Sequence, residues 1–148
     1  MIAIGSDHGG YKLKKEIMEY LKKENIDFKD FGTNTEESVN YPVFATLVSK
    51  AVQSKECKQG ILICLSGVGM SIVANKFKGI RCALVHNEHT AEYSRLHNNS
   101  NVIAIGAKDV TSQEAIKLIN IYLNTEFEGE RHKIRLDLIN DIENTNMK

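Results

Sequence analysis

Short runs of β-branched and aliphatic residues alternate along this chain with segments of helical period, and that alternation restricts the fold more than any other feature. Ile2 to Gly5, Phe28 to Phe31, Gly60 to Cys64, Arg81 to Val85 and Asn101 to Ile105 read as five buried strands. Between the first two, Leu13, Ile17, Tyr20 and Leu21 recur at offsets of four, seven and eight, with lysines and glutamates on the opposite face, as in an amphipathic helix. Phe44, Leu47, Val48 and Ala51 repeat the pattern after Pro42, the one proline, whose missing N–H costs nothing in a first helical turn. Further helices are expected at Met70 to Phe77, His89 to Leu96, Gln113 to Leu123 and Arg131 to Ile142.

Strict β-α alternation predicts an α/β, Rossmann-like (flavodoxin-like) three-layer sandwich, because right-handed crossovers lay each helix over a parallel sheet. Five strands suit the order 2-1-3-4-5, with ligands beyond the carboxyl ends of the strands, where strands 1 and 3 adjoin. The loops after those two strands should therefore meet. The length of 148 residues and 42% hydrophobic content suit one domain over 1–148, with 131–143 as a C-terminal helix that packs on the domain or reaches a neighbouring subunit.

Nineteen basic and 19 acidic side chains cancel, so no net field favours nucleic acid or an anionic membrane, and an anionic ligand must be held by local groups. No apolar run approaches the roughly 20 residues that span a bilayer, and no basic segment leads into an apolar signal stretch, so a cytoplasmic protein is expected. The cysteines at 57, 64 and 82 are odd in number and match no zinc spacing, which argues against a disulfide framework and a structural metal.

The two loops expected to meet are Gly5-Ser6-Asp7-His8-Gly9-Gly10 and Cys64-Leu65-Ser66-Gly67-Val68-Gly69-Met70-Ser71. In the second, a thiol ends the strand and glycines let the backbone approach a ligand before a helix start that favours negative charge. The G-K-[ST] ending of a P-loop is absent, so an oxyanion formed during reaction, beside a partly ionised Cys64, competes with bound phosphate as the anion. Cys64 also reads as a small apolar filler. Asp7 reads as a helix cap or a polar site group, and His8 as a donor to phosphate or a proton carrier. Arg95-Leu96-His97-Asn98-Asn99 precedes the fifth strand, at the wrong end of the sheet for this crevice unless a partner subunit supplies it. Arg131 and Arg135 share a helix face, either gripping a phosphate or forming a solvated basic turn.

The ordered motifs Ile2-Ala3-Ile4-Gly5-Ser6-Asp7-His8-Gly9-Gly10, Asp30-Phe31-Gly32-Thr33, Tyr41-Pro42, Ile61-Leu62-Ile63-Cys64, Gly67-Val68-Gly69-Met70-Ser71-Ile72, Arg95-Leu96-His97-Asn98 and Asn124-Thr125-Glu126-Phe127-Glu128-Gly129 resemble the type B ribose-5-phosphate isomerases and the related galactose-6-phosphate isomerase subunits. The resemblance spans nearly the whole chain. It implies a cytoplasmic, metal-free and cofactor-free isomerase of the pentose phosphate pathway, working through a cis-enediolate. It also implies a homodimer, or a dimer of dimers, with active sites shared between subunits. By position it makes Cys64 the base, Ser66 its hydroxyl assistant, and His97 with Asp7 the ring-opening pair. His8, Tyr41, Asn98, Arg131 and Arg135 fall on substrate-binding positions, and the N–H groups of Gly67, Val68, Gly69 and Met70 would face the enediolate.

Two residues depart from the family pattern. Leu65 stands where glycine is usual, so its backbone should avoid positive φ and its side chain must find room. Lys108 stands where many relatives carry a phosphate-binding arginine, replacing a planar fork by a point charge. The resemblance leaves open a hexose-phosphate isomerase acting on galactose 6-phosphate or allose 6-phosphate, and a sugar-phosphate-binding module without turnover.

Overall fold

Apolar runs bury best when both faces are covered, and Ile2–Ser6, Gln59–Cys64 and Val102–Gly106 do so at the centre of one parallel sheet of five strands among the described residues, whereas Phe28-Lys29-Asp30, read as a buried strand, is a half-buried to exposed edge. The structure, a computed structural model, describes residues 1–147; Lys148, the end of the 1–148 span, lies outside the described residues. The strands are β1 (Ile2–Ser6), β2 (Phe28–Asp30), β3 (Gln59–Cys64), β4 (Cys82–Leu84) and β5 (Val102–Gly106), in the order β2-β1-β3-β5-β4. The α/β class and the parallel sheet agree with the sequence reading. The order 2-1-3-4-5 is corrected: the last two strands exchange places. All five residues of β5 are buried, as a central strand requires, whereas the three residues of β4 are only half-buried. The open edge of β4 is partly closed by Asn75, whose side-chain amide donates to the Cys82 carbonyl at 3.0 Å and accepts from the Cys82 N–H at 2.8 Å.

The helices are α1 (Tyr11–Lys23), α2 (Tyr41–Gln53), α3 (Val68–Ala74), α4 (Glu88–Leu96), α5 (Ser112–Asn124) and α6 (Arg131–Asn146). Alternation along each strand divides the core. Ile4, Ile61, Ile63, Ile103 and Ile105 pack with Ile17, Leu21, Ile119 and Tyr122 of α1 and α5 on one face. Ala3, Leu62, Cys64, Val102 and Ala104 pack with Val48, Val52, Met70 and Ala74 of α2 and α3 on the other. Each fully buried aliphatic side chain contributes about 1.5–3 kcal/mol relative to exposure. Pro42 lies in the first turn of α2, as its geometry demands. Among the described residues no helix is long and apolar enough to cross a membrane.

The C-terminal helix, read as 131–143, runs on to Asn146. It buries only His132 and Leu136, and the Glu143 carboxylate accepts the Gly79 N–H at 3.2 Å. Ile134, Leu138 and Ile142 stay exposed.

Lys14 is the unexpected member of the interior. Its side chain is fully buried, donating to Asp30 Oδ1 at 2.6 Å and to the Thr33 carbonyl at 2.5 Å. Asp30 Oδ1 also accepts the Gly32 N–H at 2.8 Å, while Gly32 and Thr33 exchange backbone hydrogen bonds with Ser6. One ammonium thus ties α1, the end of β2 and the end of β1 together. Removing it leaves Asp30, which is 27% exposed, without its counter-charge in a partly solvated site. Lys14→Met is expected to lower unfolding free energy by about 2–3 kcal/mol, below the cost of breaking a fully buried pair, as read by urea denaturation. Lys15→Ala, on the exposed face, should stay within about 0.5 kcal/mol of the parent.

Candidate active site

The loops after β1 and β3 meet because the two strands pair in parallel with Ser6 opposite Ile63. The Asp7 N–H continues the ladder to the Ile63 carbonyl at 3.2 Å, setting Asp7 beside the end of β3. Its carboxylate, 8% exposed, accepts the Gly10 N–H at 3.1 Å and caps a single 3₁₀ turn over His8–Gly10. The capping role read from the sequence is therefore real, and the second carboxylate oxygen has no such partner among the described residues. His8 is exposed, and its Nδ1 accepts the Val39 N–H at 3.1 Å. That bond places the proton of the neutral ring on Nε2, a donor available to an anion.

Cys64 closes β3 with its side chain 6% exposed, and the Gly67 N–H points at Sγ over 3.0 Å. The contact directs a backbone donor at the sulfur. The loop after β5 braces this turn: the Ala107 N–H donates to the Cys64 carbonyl at 2.8 Å and the Lys108 N–H to the Leu65 carbonyl at 3.0 Å. Gly67 has φ of 78°, and a Cβ there would come within 2.7 Å of Leu84 and 3.0 Å of the backbone of Ile105, so no other residue fits. It serves as the N-cap of α3, which begins at Val68, two residues before the sequence reading, because the glycine turn closes early enough for Ser71 to bond Gly67. The helix ends at Ala74, short of Phe77, where Asn75 turns to the edge strand.

Leu65 meets both expectations set for it. It is not among the residues with positive φ, and its side chain is half exposed against Gly9. With Gly9, Lys12, Ala107 and the exposed Lys108 it rims a hollow of about 370 Å³ beside the His8 loop. Ser66 is exposed, and its Oγ accepts the Val68 N–H at 3.3 Å. The Tyr41 ring, at the start of α2, lies directly over Gly69, where a Cβ would be 2.5 Å from the ring. Met70 is buried behind the turn.

The other two cysteines occupy different surroundings. Burial pushes the Cys82 thiol up to about 12, and burial, helped by Glu56, raises Cys57.

Asp7, His8, Tyr41, Cys64, Ser66, Gly67, Val68, Gly69, Met70 and Lys108 thus gather at the carboxyl edge of the sheet. His97 and Asn98 do not join them within one chain. They follow α4 and precede β5, at the amino edge, roughly one strand length or 15 Å away. Arg95 fixes that turn by donating to the Thr125 carbonyl, Asn99 Oδ1 and the Ser100 carbonyl at 3.0, 2.7 and 2.8 Å. Arg131 and Arg135 are exposed on the first turns of α6, and α6 reaches the same region through His132, whose ring stacks on His97 with centroids 4.1 Å apart.

His97, Glu128 and His132 bring ligand atoms within 4.8 Å of one another. The two imidazoles are nearly parallel, 14° apart, so their in-plane lone pairs do not converge on a point about 2.0–2.1 Å from both. The arrangement suits stacking and does not suit a shared zinc ion. His132 and Glu128 were not singled out as site residues from the sequence. The available signal was that His132 and Leu136, four residues apart, are the buried stripe of α6.

Residues 2–139 match the model of the Ribose/Galactose Isomerase family. Ribose-5-phosphate isomerase B of Escherichia coli is 42% identical, with 96% of this chain and 95% of that protein covered. A solved structure of Clostridium thermocellum ribose-5-phosphate isomerase B superposes with a TM-score of 0.96 at 47% identity, covering 97% of each chain. That of Mycoplasma genitalium ribose-5-phosphate isomerase B with bound ribulose 5-phosphate gives 0.92 at 43% identity, covering 97% of this chain and 95% of that one. Sequence match over this span, together with the fold and the coincidence of the two loops at the β1–β3 edge, establishes that the chain belongs to the Ribose/Galactose Isomerase family.

Proposed function

We propose that the protein interconverts ribose 5-phosphate and ribulose 5-phosphate, with Cys64 as the base. The observation that carries the reading is the Gly67 N–H held 3.0 Å from Cys64 Sγ, in a turn that the Ser6–Ile63 register sets beside Asp7. In the open-chain aldose the thiolate removes the proton from C2. The C2–H electron pair becomes the C1–C2 double bond, and the carbonyl electrons move onto O1 to give a cis-enediolate. Transfer of a proton from O2 to O1 through Ser66, and return of the thiol proton to C1, complete the ketose with no net gain or loss of atoms. Charge on the enediolate falls against the N–H groups of the Gly67 to Met70 turn, each fixed donor being worth about 3–4 kcal/mol in the transition state.

Two chains complete each site in this reading. His97 and Asn98 from the amino edge of one chain, with Arg131 and Arg135 of its α6, face the Cys64 loop of a second. Exposed Val43, Leu47, Val68 and Ile72 beside that loop, and Ile134, Leu138 and Ile142 on α6, supply apolar surface for the contact. His97 and Asp7 then open the sugar ring, His8 Nε2, Lys108 and the two arginines hold the phosphate, and Tyr41 and Asn98 meet the sugar hydroxyls. Supply of substrate and use of product fall to reactions of the pentose phosphates in the cytoplasm.

Three outcomes test this. Cys64→Ala should lower kcat for ribose 5-phosphate by about 10²–10⁴-fold with KM little changed, since the base acts in the transition state. Arg135→Ala should raise KM by about 30-fold, the cost of one charge-assisted bond. Co-expressed Cys64→Ala and Arg135→Ala chains should recover about a quarter of parent activity at low substrate, because half the dimers are hybrids with one intact site of two. No recovery would confine each site to one chain. Faster turnover of allose 6-phosphate or galactose 6-phosphate in the same assay would move the substrate and keep the chemistry.

A further inference from the structure

We propose that His132 is a positioning residue for His97: a buried imidazole on α6 lies flat against the His97 ring and fixes the direction in which His97 presents its nitrogens. The inference rests on the reading of His97 as a ring-opening group.

His132 is 4% exposed, and its Nε2 finds no hydrogen-bond partner among the described residues. Glu128 Oε1, the nearest carboxylate oxygen, is 3.9 Å away, beyond hydrogen-bond reach. An unpaired buried nitrogen is a cost that an apolar side chain of similar size would avoid. What this imidazole makes instead is the stack, with centroids 4.1 Å apart and planes 14° apart. Tyr93, one helical turn before His97, meets the same ring edge-on at 4.6 Å and 68°, and the His97 N–H is tied to the Tyr93 carbonyl at 2.9 Å. His97 is therefore gripped from its own helix by Tyr93 and from α6 by His132, and exposed only in part.

The charges around the pair keep it workable. Burial first, then His97, Arg131 and Arg135, lower the affinity of His132 for a proton, with Glu128 opposing them. That direction favours a neutral His132, which offers its flat π face to the His97 ring where a second cation would repel one.

A ring-opening role is separable from the chemistry at C1 and C2. Ribose 5-phosphate enters mainly as a furanose, whereas ribulose 5-phosphate, its O5 esterified, has no hydroxyl placed to close that ring. Exchange of solvent deuterium into ribulose 5-phosphate therefore reports the enediolate steps alone. His132→Ala is expected to lower kcat for ribose 5-phosphate by about 10²-fold, the cost of a misplaced group, while the exchange rate is retained. His132→Phe, which restores a flat face without a titratable nitrogen, should recover most of the loss. Equal losses in both assays for His132→Ala, or no recovery in a His132→Phe protein with unchanged melting temperature, would overturn the proposal. His97→Ala is run beside them: if it leaves ribose 5-phosphate turnover intact, the ring-opening reading of His97 fails. If it abolishes turnover while His132→Ala does not, only the positioning role fails.

Discussion

The parallel pairing of β1 with β3 is the constraint on which the rest of the molecule depends. Ile2 through Ser6 lie opposite Gln59 through Ile63 without a break, so the two strands end almost together, and their following loops have nowhere to go but alongside one another. Side-chain alternation then decides which groups face which layer. Ile61 and Ile63 enter the core under α1 and α5, and Leu62 and Cys64 the core under α2 and α3. A slip of one residue would turn Cys64 to the other layer.

Much of this was legible from periodicity. Among the described residues the five strands lie at the short apolar runs and the six helices at the intervening segments read as helical, and the loops richest in glycine and titratable groups do meet. What escaped was lateral order. Cys82-Ala83-Leu84 and Val102-Ile103-Ala104-Ile105 are both short apolar runs, and a strand's neighbours are set by how completely each face is covered, which a linear pattern reports weakly. Lys14 escaped for another reason. It lies three and seven residues before Ile17 and Leu21, on the apolar face, but a lysine there is ordinarily read as a side chain reaching out to water. Only the tertiary arrangement brings Asp30 and the Thr33 carbonyl within its reach. His132 lies between Arg131 and Arg135 in sequence, while its partner His97 is 35 positions earlier and joined to it only by the path of α6.

Charge is organised locally in a chain whose total is zero. The carboxyl edge of the sheet offers backbone donors around Cys64, an outward Nε2 on His8 and the ammonium of Lys108. The amino edge offers two guanidinium groups on α6 and the histidine pair. Each half alone is an open surface that water screens well. Bringing the halves of two chains together, as proposed, would exclude that water and strengthen every donor at once.

The contrast among the three cysteines has a consequence for oxidative chemistry. Peroxides and disulfides react with thiolates, and burial holds Cys57 and Cys82 in the protonated form. Neither is an effective trap for an oxidant. Cys64 is the sulfur that meets a backbone N–H at the loop edge, and no resolving thiol is paired with it among the described residues. Damage at that atom would therefore not be repaired by an internal disulfide, and recovery would fall to external reductants able to enter the cleft.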